Sequence, residues 1–380
     1  MTVHRAAERD GAASGGRVRV HGAKISYFTG KLESYLRYRE IPYDFVPSRP
    51  DQLRKRAGAA QLPAVALPDG RFITDTTPII SWFEQQHPAS PVVPEDPLQA
   101  FTCRLIEDYA DEWLWRPAMH YRWSYDVDKY LLSREIVREL TTGIPVPAVF
   151  KRFMIRQRQL RVFVTGDGVN PATRPHVEGS YLCALDLLSS IFERRPFVLG
   201  ARPTLADIGL MGPMLRHFSH DPTPAAIMQE RAPAVWEWVA RMWNAKASKL
   251  SGGALVPGVP SDLEPLLAEI GETHLEYLSA NAIAWQGGDG RFDVTIQGTA
   301  YRRVPASRYR VWCLEELRKR FADLPETAAS EARGLLQKNR CWEPLWRPAD
   351  LASGHDPDRR APFVDGLEVL TARGARARRD

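Results

Sequence analysis

Ser26, Asp75 and Thr76 are polar residues that each stand where a helix begins, and by type and spacing they are the first candidates for chemistry. Ser26 follows the strand-like RVRVHGA and opens SYFTGKLESYLRYRE, whose Phe28, Leu32, Tyr35 and Leu36 fall near one helical face. Serine in that place caps a helix. A hydroxyl donor beside the positive end of a helix also favours an anion, such as a thiolate. Asp75-Thr76 opens DTTPIISWFEQQHP, where the acid can pair an ammonium while the hydroxyl and helix amides hold a carboxylate. A well-capped helix with Pro78 in its first turn accounts for the same residues. Lys31, one turn into the first helix, either reaches a carboxylate or is a solvated lysine.

A second group lies in EDYADEWLWRPAMHYRWSYD, residues 107–126. Tyr109, Trp113, Trp115, Met119 and Tyr121 form either an apolar wall for a bulky ligand or part of the core. Glu107, Asp108, Asp111, Glu112, His120 and Asp126 lack the His-x-x-x-His spacing of a helical metal site. Arg104, Arg116 and Arg122 stand close by, so a salt-bridged network is expected and no metal. His217 and His220, with Asp221, are ambiguous in the same way. Cys103, Cys183, Cys313 and Cys341 form no CxxC pair, which argues for reduced thiols in a cytoplasmic setting. Cys341, beside Trp342, reads as a buried thiol.

The elements that position these residues change character along the 380-residue chain. The first sixteen residues lack a secretory apolar stretch and read as a disordered leader. From Arg17 the order is β-α-β-α-β-β-α. Pro42 restricts the second strand to an edge or falls in its first residues, a short polar helix runs through PDQLRKRAG, and Asp69-Gly70 marks a hairpin. After the proline-rich PASPVVPEDP, residues 98–140 and 176–193 show helical spacing without strands. Between them come a loop, a basic helix and another loop. Thr204 and Asp207 form a capping box, and a strong amphipathic helix begins near Pro233. Past the Gly/Pro-rich KLSGGALVPGVPSD, about 120 residues continue with helix, two strands around Gly298, another helix and an arginine-rich tail. Trp312, Cys313, Trp342 and Trp346 suggest that this extension packs. The net charge of +5 is spread among acids, and nine of the 51 basic residues are lysine. No basic groove for nucleic acid and no apolar run of membrane-spanning length is present, so neither partner is expected.

Four motifs in order (SYFTGKL, LPAV, TDTTPII and PTLAD) give residues 17–250 a resemblance to the cytosolic glutathione transferases, of the serine-type, bacterial kind. The resemblance implies an α/β thioredoxin-like N-terminal domain over 17–92 and an all-α glutathione-transferase-like domain over 98–250. A C-terminal α+β extension of unknown role, 251–380, then follows. It further implies that Ser26 holds the sulfur of glutathione, with Tyr27 as rival. Leu62 with a cis-Pro63 would pair with the cysteinyl backbone. Asp75-Thr76, where relatives usually carry Glu-Ser, would bind the γ-glutamyl end, with Lys31 near a glutathione carboxylate. Tyr109, Trp113, Trp115, Met119 and His120 would line the pocket for a small apolar electrophile. With no cysteine before Cys103, dithiol redox chemistry has no place at Ser26. The expected activity is glutathione-dependent transfer, such as detoxification, by a cytoplasmic homodimer. A lyase or isomerase on the same scaffold, and a non-catalytic dimerisation or binding module, are the alternatives.

Overall fold

The computed structural model describes residues 17–48, 53–54 and 61–363. The expected leader, most of the short polar helix and the arginine-rich tail lie outside these residues.

Strand β1 (Val18–Gly22) alternates Val18 and Val20 inward and sits inside a four-stranded sheet of order β2-β1-β3-β4. β2 (Tyr43–Pro47) pairs parallel to β1 at the edge of the sheet, with Pro42 just ahead of its first residue. β3 (Ala64–Ala66) and β4 (Phe72–Thr74) pair antiparallel around the Asp69-Gly70 turn, where Gly70 has φ 87°. Helix α1 (Tyr27–Tyr38) joins β1 to β2, and α2 (Thr76–Gln86) follows β4. His21 pairs with Ala64, and Ala64 pairs with Thr74. The chain therefore leaves β1 towards Ser26, enters β3 from Pro63 and leaves β4 into Asp75 along one row across the sheet. Both helix N-termini open at that end.

A helical unit follows, with α3 (Pro97–Glu112), α4 (Trp115–Ser124), α5 (Asp126–Leu140) and α6 (Ala148–Gln159). It continues with α7 (Arg174–Phe192), α8 (Leu205–Pro213), α9 (Pro222–Arg231), α10 (Pro233–Asn244) and the short α11 (Ala247–Leu250). Leu205–Pro213 is the centre of this unit and is buried throughout. Its N-terminus carries the expected capping box: Asp207 accepts from the Thr204 amide at 2.9 Å and the Thr204 hydroxyl at 3.0 Å. The other Asp207 oxygen accepts from Val198 N at 3.0 Å and Trp238 Nε1 at 3.1 Å. One side chain thus fixes α8, the loop before it and α10. Gly209 lets α8 run against α3, because a Cβ there would meet Glu107 Cα at 2.7 Å.

Residues 261–363 pack against this unit, as their tryptophans suggested. They form α12 (Glu264–Ile270), α13 (Glu276–Gln286), a β5–β6 hairpin (Arg291–Ile296, Thr299–Pro305), α14 (Arg308–Ala322), α15 (Glu326–Lys338) and α16 (Trp342–Trp346). Gln297 and Gly298 both take positive φ, which matches the right-handed twist of the hairpin strands. Helices α12, α14 and α15 cover the part of α3 that α8 leaves open. The dock is polar as well as apolar. The Arg116 guanidinium lies 5.0, 4.5 and 5.0 Å from the rings of Trp113, Tyr277 and Tyr301, and its Nε donates to Asp167 O at 3.0 Å. Arg310 of α14 donates to Glu112 at 3.1 Å and is within 3.4 Å of Asp167.

Candidate functional site

Ser26 is the N-cap of α1 in extended backbone, and its Oγ accepts from Thr29 N at 3.4 Å. The residue is half-buried and its hydroxyl proton is free to donate outward. The helical unit holds the preceding loop: Arg122 grips Asp221 at 2.7 and 2.8 Å and donates to Ile25 O at 2.8 Å. Tyr27, the rival, is taken out of contention by geometry. It is buried, its hydroxyl donates to Ala110 O, and burial, followed by the Asp111 charge, pushes its pKa well up.

Leu62-Pro63 is a cis peptide leading into β3. Asp75, at the N-cap of α2, has φ 71° and ψ 116°, a left-handed backbone that a residue with a side chain adopts at a cost of about 1–3 kcal/mol. One Asp75 oxygen accepts from Thr77 N at 3.4 Å. The other accepts from the hydroxyl of Tyr309, at the start of α14, at 3.0 Å. Burial pushes the Asp75 carboxyl up to about 7, against the Tyr309 hydrogen bond and the Lys31 charge, so it titrates near neutrality. Thr76 is buried at the same helix start. Tyr309 escaped the sequence reading because it lies 234 residues from its partner.

Lys31 is a correction. Its ammonium is buried, 2.8 Å from Glu107, and also paired with Asp111 and Thr77, so it faces no open ligand site. Burial works against the charge, but Asp111 and Glu107 outweigh it and raise the lysine pKa. Burial raises Glu107 too, yet Lys31 and Arg104 bring it net below its ordinary value. Asp111 goes the other way, raised by burial and then by its acidic neighbours Glu107 and Glu112 over the pull of Lys31. Lys31 with Glu107 is therefore the ionised pair that ties α1 to α3.

Four of the five expected substrate contacts are also corrected. Tyr109, Trp113, Met119 and His120 are all at most 5% exposed. Trp113 packs under Arg116, and His120 lies between Glu178 and Ser124 at 2.9 Å each. Their helical spacing marked the inward faces of α3 and α4. Trp115 alone reaches the Ser26 side, where its ring stacks on Phe28 at 5.7 Å and meets Phe163 edge-on at 5.7 Å. Phe28, Trp115 and Phe163 are all half-buried, and Phe163 was unmarked in sequence.

Arg104 pairs with Glu107 at 3.1 Å as expected, whereas Glu112 pairs with the distant Arg310 at 3.1 Å and Asp108 is hydrogen-bonded to the distant His274 at 2.6 Å. No group of metal-ligating side chains occurs among the described residues. A cavity of about 460 Å³ opens beside α2, bordered by Thr77, Trp82, Asp111, Tyr309 and Trp312. Its lining contains neither Ser26 nor Pro63.

Residues 20–91 match the family model for the glutathione S-transferase N-terminal domain, and residues 171–241 match that for the C-terminal domain. The chain carries the N- and C-terminal domains of a glutathione S-transferase. It is a transferase-like enzyme with a thioredoxin-like α/β domain, a helical domain and an added α+β extension. Similar solved structures include a glutathione S-transferase from Methylobacterium radiotolerans in complex with glutathione sulfonate, at 20% identity. It is matched over 64% of this chain and 95% of that one, with a TM-score of 0.38. A glutathione S-transferase from Rhodospirillum rubrum has 19% identity, 65% and 97% coverage and a TM-score of 0.39. The beta-etherase LigF from Sphingobium sp. has 16% identity, 59% and 94% coverage and a TM-score of 0.43. These are loose likenesses. No curated protein matches the chain.

Proposed function

We propose that this enzyme binds glutathione across the end of its sheet and uses Ser26 to hold the thiolate for attack on an apolar electrophile. The carrying observation is the row His21, Ala64 and Thr74, from which Ser26, Pro63 and Asp75 emerge together beside two helix N-termini. In this reading the Ser26 hydroxyl donates to the sulfur and, with the amides of α1, lowers a thiol pKa of about 8.5 towards neutrality. Leu62, ahead of the cis-proline, offers backbone to the cysteinyl unit. Asp75 takes the γ-glutamyl ammonium, and the Thr76 hydroxyl and α2 amides take the carboxylate. Strain at Asp75 supports this role, since strained backbone gathers at functional sites. Phe28, Trp115 and Phe163 form the apolar wall for the second substrate.

Dimerisation and a reducing cytoplasmic setting belong to the same proposal; all four cysteines are free thiols. Calorimetric titration with millimolar glutathione, followed by mass spectrometry of conjugates formed with apolar electrophiles, tests it. Binding and a thioether product support the reading. Absence of binding at millimolar glutathione overturns it in favour of a non-catalytic module.

A further inference from the structure

Helix α6 is mounted with its apolar side chains outward. Val149, Phe150, Phe153 and Met154 are 57, 61, 51 and 65% exposed, whereas Ile155, on the other side, packs towards the core. Eight of the nine large apolar side chains exposed among the described residues fall between Val127 and Met154, so the exposure is gathered in one stretch of the chain. Tyr130 of α5 joins it, with the Arg156 guanidinium 4.7 Å above its ring.

The same segment is strongly and one-sidedly charged. Lys151, Arg152, Arg156, Arg158 and Arg161 fall within eleven residues, and the sequence holds no acid between Glu139 and Asp167. Among the described residues, none of the five forms an ion pair; Lys151 donates to Thr141 O and Arg158 lies over the Phe163 ring. An exposed apolar helix face beside cations without acidic partners is the arrangement of a helix that lies in a membrane interface, with apolar groups among acyl chains and cations at phosphates. A contiguous exposed apolar surface of this kind marks an interaction site.

We propose that α6 and the adjoining end of α5 dock the enzyme on an anionic phospholipid surface. Charge complementarity selects this occupant over a second copy of the chain, because a two-fold contact would set the same five cations against each other. No helix among the described residues is long and apolar enough to cross a membrane, so the association is peripheral. The proposal stands apart from the chemistry at Ser26. Beyond α6 the chain does run on to Phe163, on the apolar wall beside Trp115, which places that wall near the docked surface.

The test is co-sedimentation of the full chain with vesicles of phosphatidylcholine alone and of phosphatidylcholine containing phosphatidylglycerol. The proposal expects partitioning at least about tenfold stronger on the anionic vesicles, falling as salt is raised. The double substitution Phe153→Glu, Met154→Glu should reduce it about tenfold or more, and Arg158→Glu, Arg161→Glu should do the same. All four residues are exposed, so unchanged circular dichroism and melting are expected in both variants. Lack of binding to anionic vesicles overturns the proposal and leaves a protein partner. Binding that survives both double substitutions overturns it as well. A dimer seen by light scattering that Phe153→Glu abolishes, without vesicle binding, assigns the face to a second copy.

Discussion

Replacing Tyr309 by Phe removes one hydroxyl and leaves the ring packed between Trp312 and His355, at centroid distances of 5.4 and 5.2 Å. What is lost is the 3.0 Å hydrogen bond to Asp75. Asp75 titrates at about 7, because burial raises it while Tyr309, Lys31 and Thr77 pull it back. A hydrogen bond to a charged group contributes about 1.5–3 kcal/mol, which is about a ten- to hundredfold change in an ionisation equilibrium. The carboxyl, about half ionised at pH 7 in the native enzyme, would then be less than about one-tenth ionised. If its carboxylate holds the γ-glutamyl ammonium, glutathione affinity at pH 7 falls about fivefold or more in Tyr309→Phe, and the deficit shrinks as pH rises. Native binding itself weakens as pH drops through about 7, because Asp75 takes up a proton. Calorimetric titration of glutathione from about pH 6 to pH 8.5, for both proteins, reads the midpoint. A midpoint that is the same in both, or affinity that ignores pH, refutes the reasoning.

Other perturbations have equally definite outcomes. Lys31→Met removes the buried cation between Glu107 and Asp111, leaving Glu107 only Arg104, and should cost about 3 kcal/mol in urea unfolding. Asp207→Ala leaves the Val198 and Thr204 amides and the Trp238 indole unpaired, so a loss of about 4 kcal/mol, read as a large fall in melting temperature, is expected. Tyr27→Phe removes a single hydrogen bond to Ala110 and should cost about 1 kcal/mol, while the pKa of bound thiol stays where it was.

Much of the frame is legible in sequence because its determinants are local. Alternating valines, the Asp69-Gly70 turn and the Thr204/Asp207 box each act within a few residues, and all appear where they were expected. Pro42 stands at the entry of β2 and bounds that strand for a similarly local reason. Pairing across the chain is a different matter. A lysine one turn into a helix gives no sign that Glu107 and Asp111 will close over it, and Glu112 meets its cation only at Arg310, 198 residues on. The aromatic run at 107–126 showed that helix faces would be apolar. What covers Trp113 is Arg116 beneath Tyr277 and Tyr301 of the extension, so a supposed pocket wall became core. Ser26, Leu62-Pro63 and Asp75-Thr76 are recognisable as short motifs. Tyr309 has no motif at all.

The central claim is that Ser26 stabilises a bound thiolate, and ultraviolet titration of the thiol in the glutathione complex tests it most directly. The account predicts ionisation well below the free-thiol value of about 8.5 in the native enzyme, returning towards it in Ser26→Ala while glutathione still binds. An unshifted thiol in the native complex, or one lowered equally in both proteins, would contradict it.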